Sequence, residues 1–115
     1  MKLTVPNERL LALITSSAAL ETAWPQECQS VKKLWLVLQM SEPSLAEALQ
    51  LGVLAPPRTE GELLVIQYAA AAIWSVPRRK PGGPKLAPTT SPREIACLEV
   101  TDVAAAGRSW LKAAG

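Results

Sequence analysis

Three times along this chain a serine or threonine stands three residues ahead of a glutamate: Ser44–Glu47, Thr59–Glu62 and Ser91–Glu94. At this spacing the hydroxyl can accept a backbone N–H of the first helical turn. The glutamate can reach back to the amide of the capping residue. Donors that a helix start leaves unpaired are then satisfied reciprocally. Pro6, Pro25 and Pro92 suit the first turn of a helix, where a missing N–H is no loss. Leucine and alanine dominate between these signals, and strand signals are few. The pattern predicts an all-α fold, a bundle of about five helices in one domain spanning residues 1–115. At 115 residues the chain is long enough to bury a core without staples.

The expected helices follow from these starts. The first runs from about Pro6 to Thr22, with Leu10, Leu11, Ile14 and Ala18 on one face. The second runs from about Pro25 to Met40, with a stripe of Cys28, Val31, Leu34, Trp35 and Leu38. Leu36, Val37 and Met40 make its C-terminal end apolar on several sides, so that end is expected to be central or covered by a partner. The third is short, Leu45 to Leu51, and stops at Gly52. The fourth, Glu60 to Trp74, is apolar on two faces and is expected to be the central helix. The fifth runs from about Pro92 to Ala113, with Val100, Val103, Gly107, Trp110 and Leu111 in its stripe. Gly107 is expected to let two helices approach closely.

Chemistry is constrained by what is missing. The chain has no histidine, which excludes a Ser-His-Asp triad, a Cys-His pair and imidazole metal ligands. Two cysteines, Cys28 and Cys97, cannot supply a structural zinc site. They read as buried thiols of a reducing compartment, a single disulfide being the other reading. Pro81-Gly82-Gly83-Pro84-Lys85 lacks the strand and the Lys-Ser/Thr pair of a phosphate-binding loop. No catalytic residue, metal site or cofactor is expected. An enzyme working through carboxylates alone is the third class of function. The longest apolar run, Leu63 to Val76, is too short for a bilayer, and Glu8 and Arg9 interrupt a signal-peptide reading. A cytoplasmic protein is expected.

The net charge of +2 conceals a separation. Residues 1–75 carry five basic and seven acidic side chains, and residues 94–115 carry two and three. Residues 76–93 carry five basic side chains, Arg78, Arg79, Lys80, Lys85 and Arg93, and no acid. This stretch contains Pro77, Pro81, Pro84 and Pro88 and is expected to be an extended loop over 76–91, between the fourth and fifth helices. Each cation could neutralise one phosphate of a nucleic-acid backbone and release its counterion. The loop holds no aromatic residue, so base stacking and sequence readout are not indicated. An acidic protein partner and a solvated linker are the competing readings.

The chain has four tryptophans and no phenylalanine. Trp35 and Trp110 fall in core stripes. Trp24 and Trp74 fall at expected helix ends, and one of them could anchor a partner, because tryptophan is enriched at interface hot spots. The function expected is a non-catalytic small helical subunit of a larger assembly, contacting nucleic acid through the basic arm. The alternative is a protein-only adaptor. In general architecture, a motif-poor helical subunit with a basic patch resembles the small subunits of CRISPR effector complexes. Helices joined by an extended arm resemble phage head–tail adaptors. Neither resemblance rests on matched residues, and no site residue is carried over from it.

Overall fold

The computed structural model describes residues 1–110. Among these residues the fold is mixed: four helices and a six-stranded sheet, not an all-α bundle. The elements run β1 (Lys2–Thr4), α1 (Glu8–Ile14), α2 (Ser17–Ala23), α3 (Cys28–Met40), α4 (Leu45–Gln50), β2 (Arg58–Glu60), β3 (Leu63–Tyr68), β4 (Ala71–Arg78), β5 (Cys97–Ala105) and β6 (Arg108–Ser109). A 3₁₀ turn, Pro92–Glu94, precedes β5.

The first half of the chain follows the helical reading. The expected first helix divides into α1 and α2, because Thr15 ends one and Ser16 caps the next, accepting the Ala19 N–H at 3.2 Å. The buried face of α1 is Leu10, Leu13 and Ile14, so Leu11 of the expected stripe is 42% exposed, and Ala18 in α2 is exposed as well. In α3 the stripe Cys28, Val31, Leu34 and Leu38 is buried, with Trp35 packed beside it. Ahead of α4 the Ser44 amide donates to Glu47 Oε2 at 3.2 Å and the Ser44 hydroxyl donates to the same oxygen at 2.5 Å. These bonds hold the Glu47 carboxyl below the usual carboxylate range.

The second half corrects the helical reading. The expected fourth helix is the hairpin β3–β4, and the expected fifth is the 3₁₀ turn followed by β5 and β6. Leu63-Leu64-Val65-Ile66-Gln67-Tyr68 is rich in branched and aromatic side chains that pack well on a pleated surface. At the second Ser/Thr–Glu spacing, Thr59 pairs with Leu64 across strands, and Gly61 turns the chain at φ +61°. At the third, the Glu94 carboxylate is taken by Arg79, so the reciprocal cap is not closed. Gly107 permits no helix contact; with Ala106 it forms the two-residue turn between β5 and β6, both at positive φ. Leu111 and Lys112, at the end of the expected fifth helix, lie outside the described residues.

Strand order is β1-β5-β4-β3-β2, with β6 also on β5. The pairs are antiparallel except β1 with β5. α3 lies on one face of the sheet, against β1, β3, β4 and β5. The register rows Ile66–Ile73–Val103 and Leu64–Ser75–Val100 supply that face with buried side chains. Together with the helical residues Leu10, Leu34, Leu38 and Leu45 they form one core. Burial of such a Leu or Ile side chain contributes about 1.5–3 kcal/mol. The far face carries Val65–Trp74–Asp102, Thr4–Glu99–Val76 and Lys2–Cys97–Arg78. Between Trp74 and Ser75 the pairing skips Thr101, a bulge whose hydroxyl donates to the Trp74 carbonyl at 3.2 Å.

Candidate functional site

The basic segment leaves β4 at Arg78 and returns at once to its edge. Lys85 bridges Arg78, and the Leu86 N–H donates to the Pro77 carbonyl at 2.8 Å. Between them the Gly83 N–H donates to the Lys80 carbonyl at 3.0 Å, with Gly82 at φ +74°. The segment therefore forms a pinned excursion from the sheet edge. Its return leg, with Leu63 and Val76 of the far face, lines a cleft of about 320 Å³ that also includes Glu62 and Lys85.

The five cations do not form one surface. Arg78 is mostly buried: one guanidinium nitrogen donates to the Gly83 carbonyl, and another lies 3.3 Å from Glu99 Oε2. Its Nε is buried without a hydrogen-bond partner among the described residues. Arg79 pairs with Glu94 at 2.7 Å on the protein surface. Both acids come from beyond the segment, so the charge separation read along the chain is partly cancelled in space. Lys80, Lys85 and Arg93 are exposed and have no ion pair among the described residues. The structure brings Lys80 and Lys85 onto the excursion and places Arg93 on the 3₁₀ turn, near enough to Glu47 to favour its ionised form. Lys80, Arg79, Pro84 and Leu86 line an open concavity of about 380 Å³.

The two tryptophans singled out for partners have different surroundings. Trp24 is fully buried, and its indole N–H donates to the Arg108 carbonyl at 3.1 Å. This bond ties the junction of α2 and α3 to β6. Trp74 lies half-buried on the far face of β4 and donates to Glu60 Oε2 at 2.6 Å. A different feature is the set of exposed apolar side chains at Leu36, Met40, Leu51 and Val53, of which Leu36 and Met40 belong to the end expected to be central or covered by a partner. The signal was present in the apolar C-terminal end of the second expected helix.

Asp102, opposite Trp74, is half-buried, and desolvation holds its carboxyl above the usual carboxylate range, against the opposing Val103 N–H at 2.8 Å. The folded chain then keeps this proton to higher pH than the unfolded chain. Asp102 therefore lowers stability as pH rises from the ordinary carboxylate range through its raised folded value, and this loss is recovered on acidification. Glu47 acts in the opposite sense, its contribution being lost as pH falls through its depressed value. Asp102→Asn keeps the acceptor and is expected to raise stability at neutral pH while removing the Asp102 part of the slope. Urea unfolding of both proteins across the acid range checks this; an Asn variant less stable at neutral pH would contradict it.

Cys28 and Cys97 are free and buried. Burial pushes the Cys97 thiol up, so it stays protonated and is a poor nucleophile. No three His, Cys, Asp or Glu side chains converge as a metal site among the described residues. Among the same residues no helix is long and apolar enough to cross a membrane; the apolar run Leu63 to Val76 is the β3–β4 hairpin. No family model, curated protein or solved structure matches the chain.

Proposed function

We propose that this protein is a non-catalytic small subunit of a larger assembly that lays its basic excursion against a nucleic-acid backbone. The observation that carries this reading is the set of three exposed cations that form no ion pair among the described residues, Lys80, Lys85 and Arg93. The excursion is tied to the sheet by the Leu86–Pro77 hydrogen bond and closed on itself by the Gly83–Lys80 hydrogen bond. Little order remains to be imposed on binding, which lowers the entropic cost. Contact is with phosphates and independent of base sequence.

Three phosphate contacts set the expected salt dependence. On duplex DNA, log K against log salt should fall with a slope of about −2 to −3, not the roughly −4.5 of five contacts. Fluorescence anisotropy with a labelled duplex of mixed sequence measures it. Lys80→Ala with Lys85→Ala should flatten the slope by about two, and Glu94→Gln, which releases Arg79, should steepen it by up to about one. Absence of binding at low salt, or a slope indifferent to these substitutions, would sink the reading.

The second reading is a protein-only adaptor. It is favoured by one specific observation, the exposed apolar residues of α3 and of the segment that follows α4.

A further inference from the structure

Five large apolar side chains are well exposed among the described residues, and four of them fall between positions 36 and 53: Leu36 at 53%, Met40 at 74%, Leu51 at 60% and Val53 at 48%. Leu36, Met40 and Leu51 converge with Val37 on a groove of about 440 Å³ between the C-terminal half of α3 and the end of α4. A second concavity of about 270 Å³, lined in part by Trp35 and Leu36, continues the apolar surface along α3. From Val31 to Met40 this surface runs along roughly 14 Å of helix, about two and a half turns.

The walls are held in place. Ser41, at the end of α3, is buried and its hydroxyl donates to the Val37 carbonyl at 2.6 Å. The Met1 ammonium donates to the Gln39 carbonyl at 3.2 Å and also to the Ser41 carbonyl. The capping bonds of Ser44 and Glu47 fix the start of α4. Exposed leucine and methionine on fixed walls are the composition of surfaces that accept apolar anchors.

Charge identifies the occupant. Among the described residues the groove itself is lined by two carboxylates, Glu42 and Glu47, and by no cation, while the concavity that continues it carries Lys32, which is paired with Glu21 at 3.7 Å. Glu42 is exposed and has no ion pair among the described residues. A second copy of this chain docked groove to groove would bring two acidic rims together with no cation of either groove between them, which is repulsive. The walls offer side chains and no open strand edge, so an added strand would find no backbone partners there. We infer that the α3–α4 groove binds an amphipathic α-helix of a partner protein, whose apolar residues at i, i+3/i+4 and i+7 fill the groove and whose flanking Lys or Arg meets Glu42. This holds whether or not the basic excursion touches nucleic acid, because the two surfaces share no residue.

The test uses the full chain and three labelled peptides of about five helical turns. One has Leu and Met at the helical spacing with Lys and Arg flanks. One keeps the apolar positions but has Glu flanks. One has the first composition with its apolar positions scrambled. The first is expected to bind at least about tenfold more tightly than either control. Met40→Glu and Leu36→Glu should each weaken it by about tenfold or more, with unchanged circular dichroism and thermal midpoint, since both side chains are exposed. Glu42→Lys should move the preference toward the Glu-flanked peptide.

Equal affinity for the three peptides, or binding indifferent to Met40→Glu and Leu36→Glu, overturns the proposal. So does a concentration-dependent dimer in sedimentation that Met40→Glu abolishes, because the face is then occupied by a second copy. Binding to phosphatidylcholine vesicles that Met40→Glu removes, without peptide selectivity, assigns the surface to a membrane and also overturns it.

Discussion

Trp24→Ala is expected to lower the unfolding free energy by about 3–5 kcal/mol, the range for truncating a large aromatic side chain in a core. Trp24 is fully buried where α2 hands over to α3, so removal of the indole opens a cavity that the surrounding helices can only partly close. It also strands the Arg108 carbonyl, which accepts the indole N–H at 3.1 Å. In a chain of this size the thermal midpoint should fall by roughly 12–20 °C. Trp24→Phe separates the two losses. It keeps much of the ring volume but loses the donor, and should cost about 1–3 kcal/mol for the unsatisfied carbonyl together with the residual gap. Urea denaturation measures both variants. An alanine variant as stable as the parent, deficient only in partner binding, would restore the interface-anchor reading of this residue.

The second large effect is at Arg78. Its guanidinium joins the Gly83 carbonyl to Glu99, holding the tip of the basic excursion against the sheet. Only 14% of its side chain is exposed, so Arg78→Ala leaves a poorly solvated Glu99 carboxylate without its partner. The expected cost is roughly 2–4 kcal/mol, less than for a fully buried pair because Glu99 is itself 27% exposed. Arg78→Lys restores the charge but cannot span both acceptors, and should recover only part of the loss. Hydrogen exchange gives the local readout: the amides of Gly83 and Leu86 should lose protection in the alanine variant more than those of β3 do. Uniform loss across the sheet would show that Arg78 supports the fold generally and does not clasp the excursion. The buried Nε without a partner offsets part of what the clasp contributes, so the measured loss should fall toward the lower end of the range.

How far the fold could be read from the residues is best judged at the three Ser/Thr–Glu spacings. Local hydrogen-bonding capacity is the same in each. Only Ser44–Glu47 lies before a segment that also favours a helix, Leu-Ala-Glu-Ala-Leu-Gln. Thr59–Glu62 precedes β-branched and aromatic residues that must be buried on both faces of a sheet, and burial over the run to Val76 outweighs a cap. A continuous apolar run does not distinguish a buried strand from a buried helix by period, and the alanines at 69–72 favoured the helix. The local signal for a turn is Gly61 before the run, at φ +61°. In β5 the alternation of Val100, Asp102 and Ala104 is interrupted at Thr101 by the bulge, which imitates a helical spacing of apolar residues.

The candidate sites were legible to a similar degree. The cluster of cations was visible, but a charge count along the chain does not reveal that Glu94 and Glu99 fold back onto Arg79 and Arg78. The excess of apolar residues at the end of α3 was visible too, without any means of telling a central position from an uncovered one. The exposure of Met40 answers that.

One edge of β5 is shared by two short strands from opposite ends of the described chain, β1 beside Cys97–Glu99 and β6 beside Ala104–Ala105. The two differ in how far along the chain their partner lies. β6 closes a two-residue turn and can be in place as soon as β5 is. β1 has to wait until nearly the whole described chain exists, since Lys2 pairs with Cys97. Closing so long a loop costs entropy before any contact offsets it. During synthesis the β3–β4 hairpin can therefore form before β1 has a partner. The N-terminal residues stay unpaired until β5 has been made, and the edge of β5 that β1 covers stays open to other chains until that pairing closes.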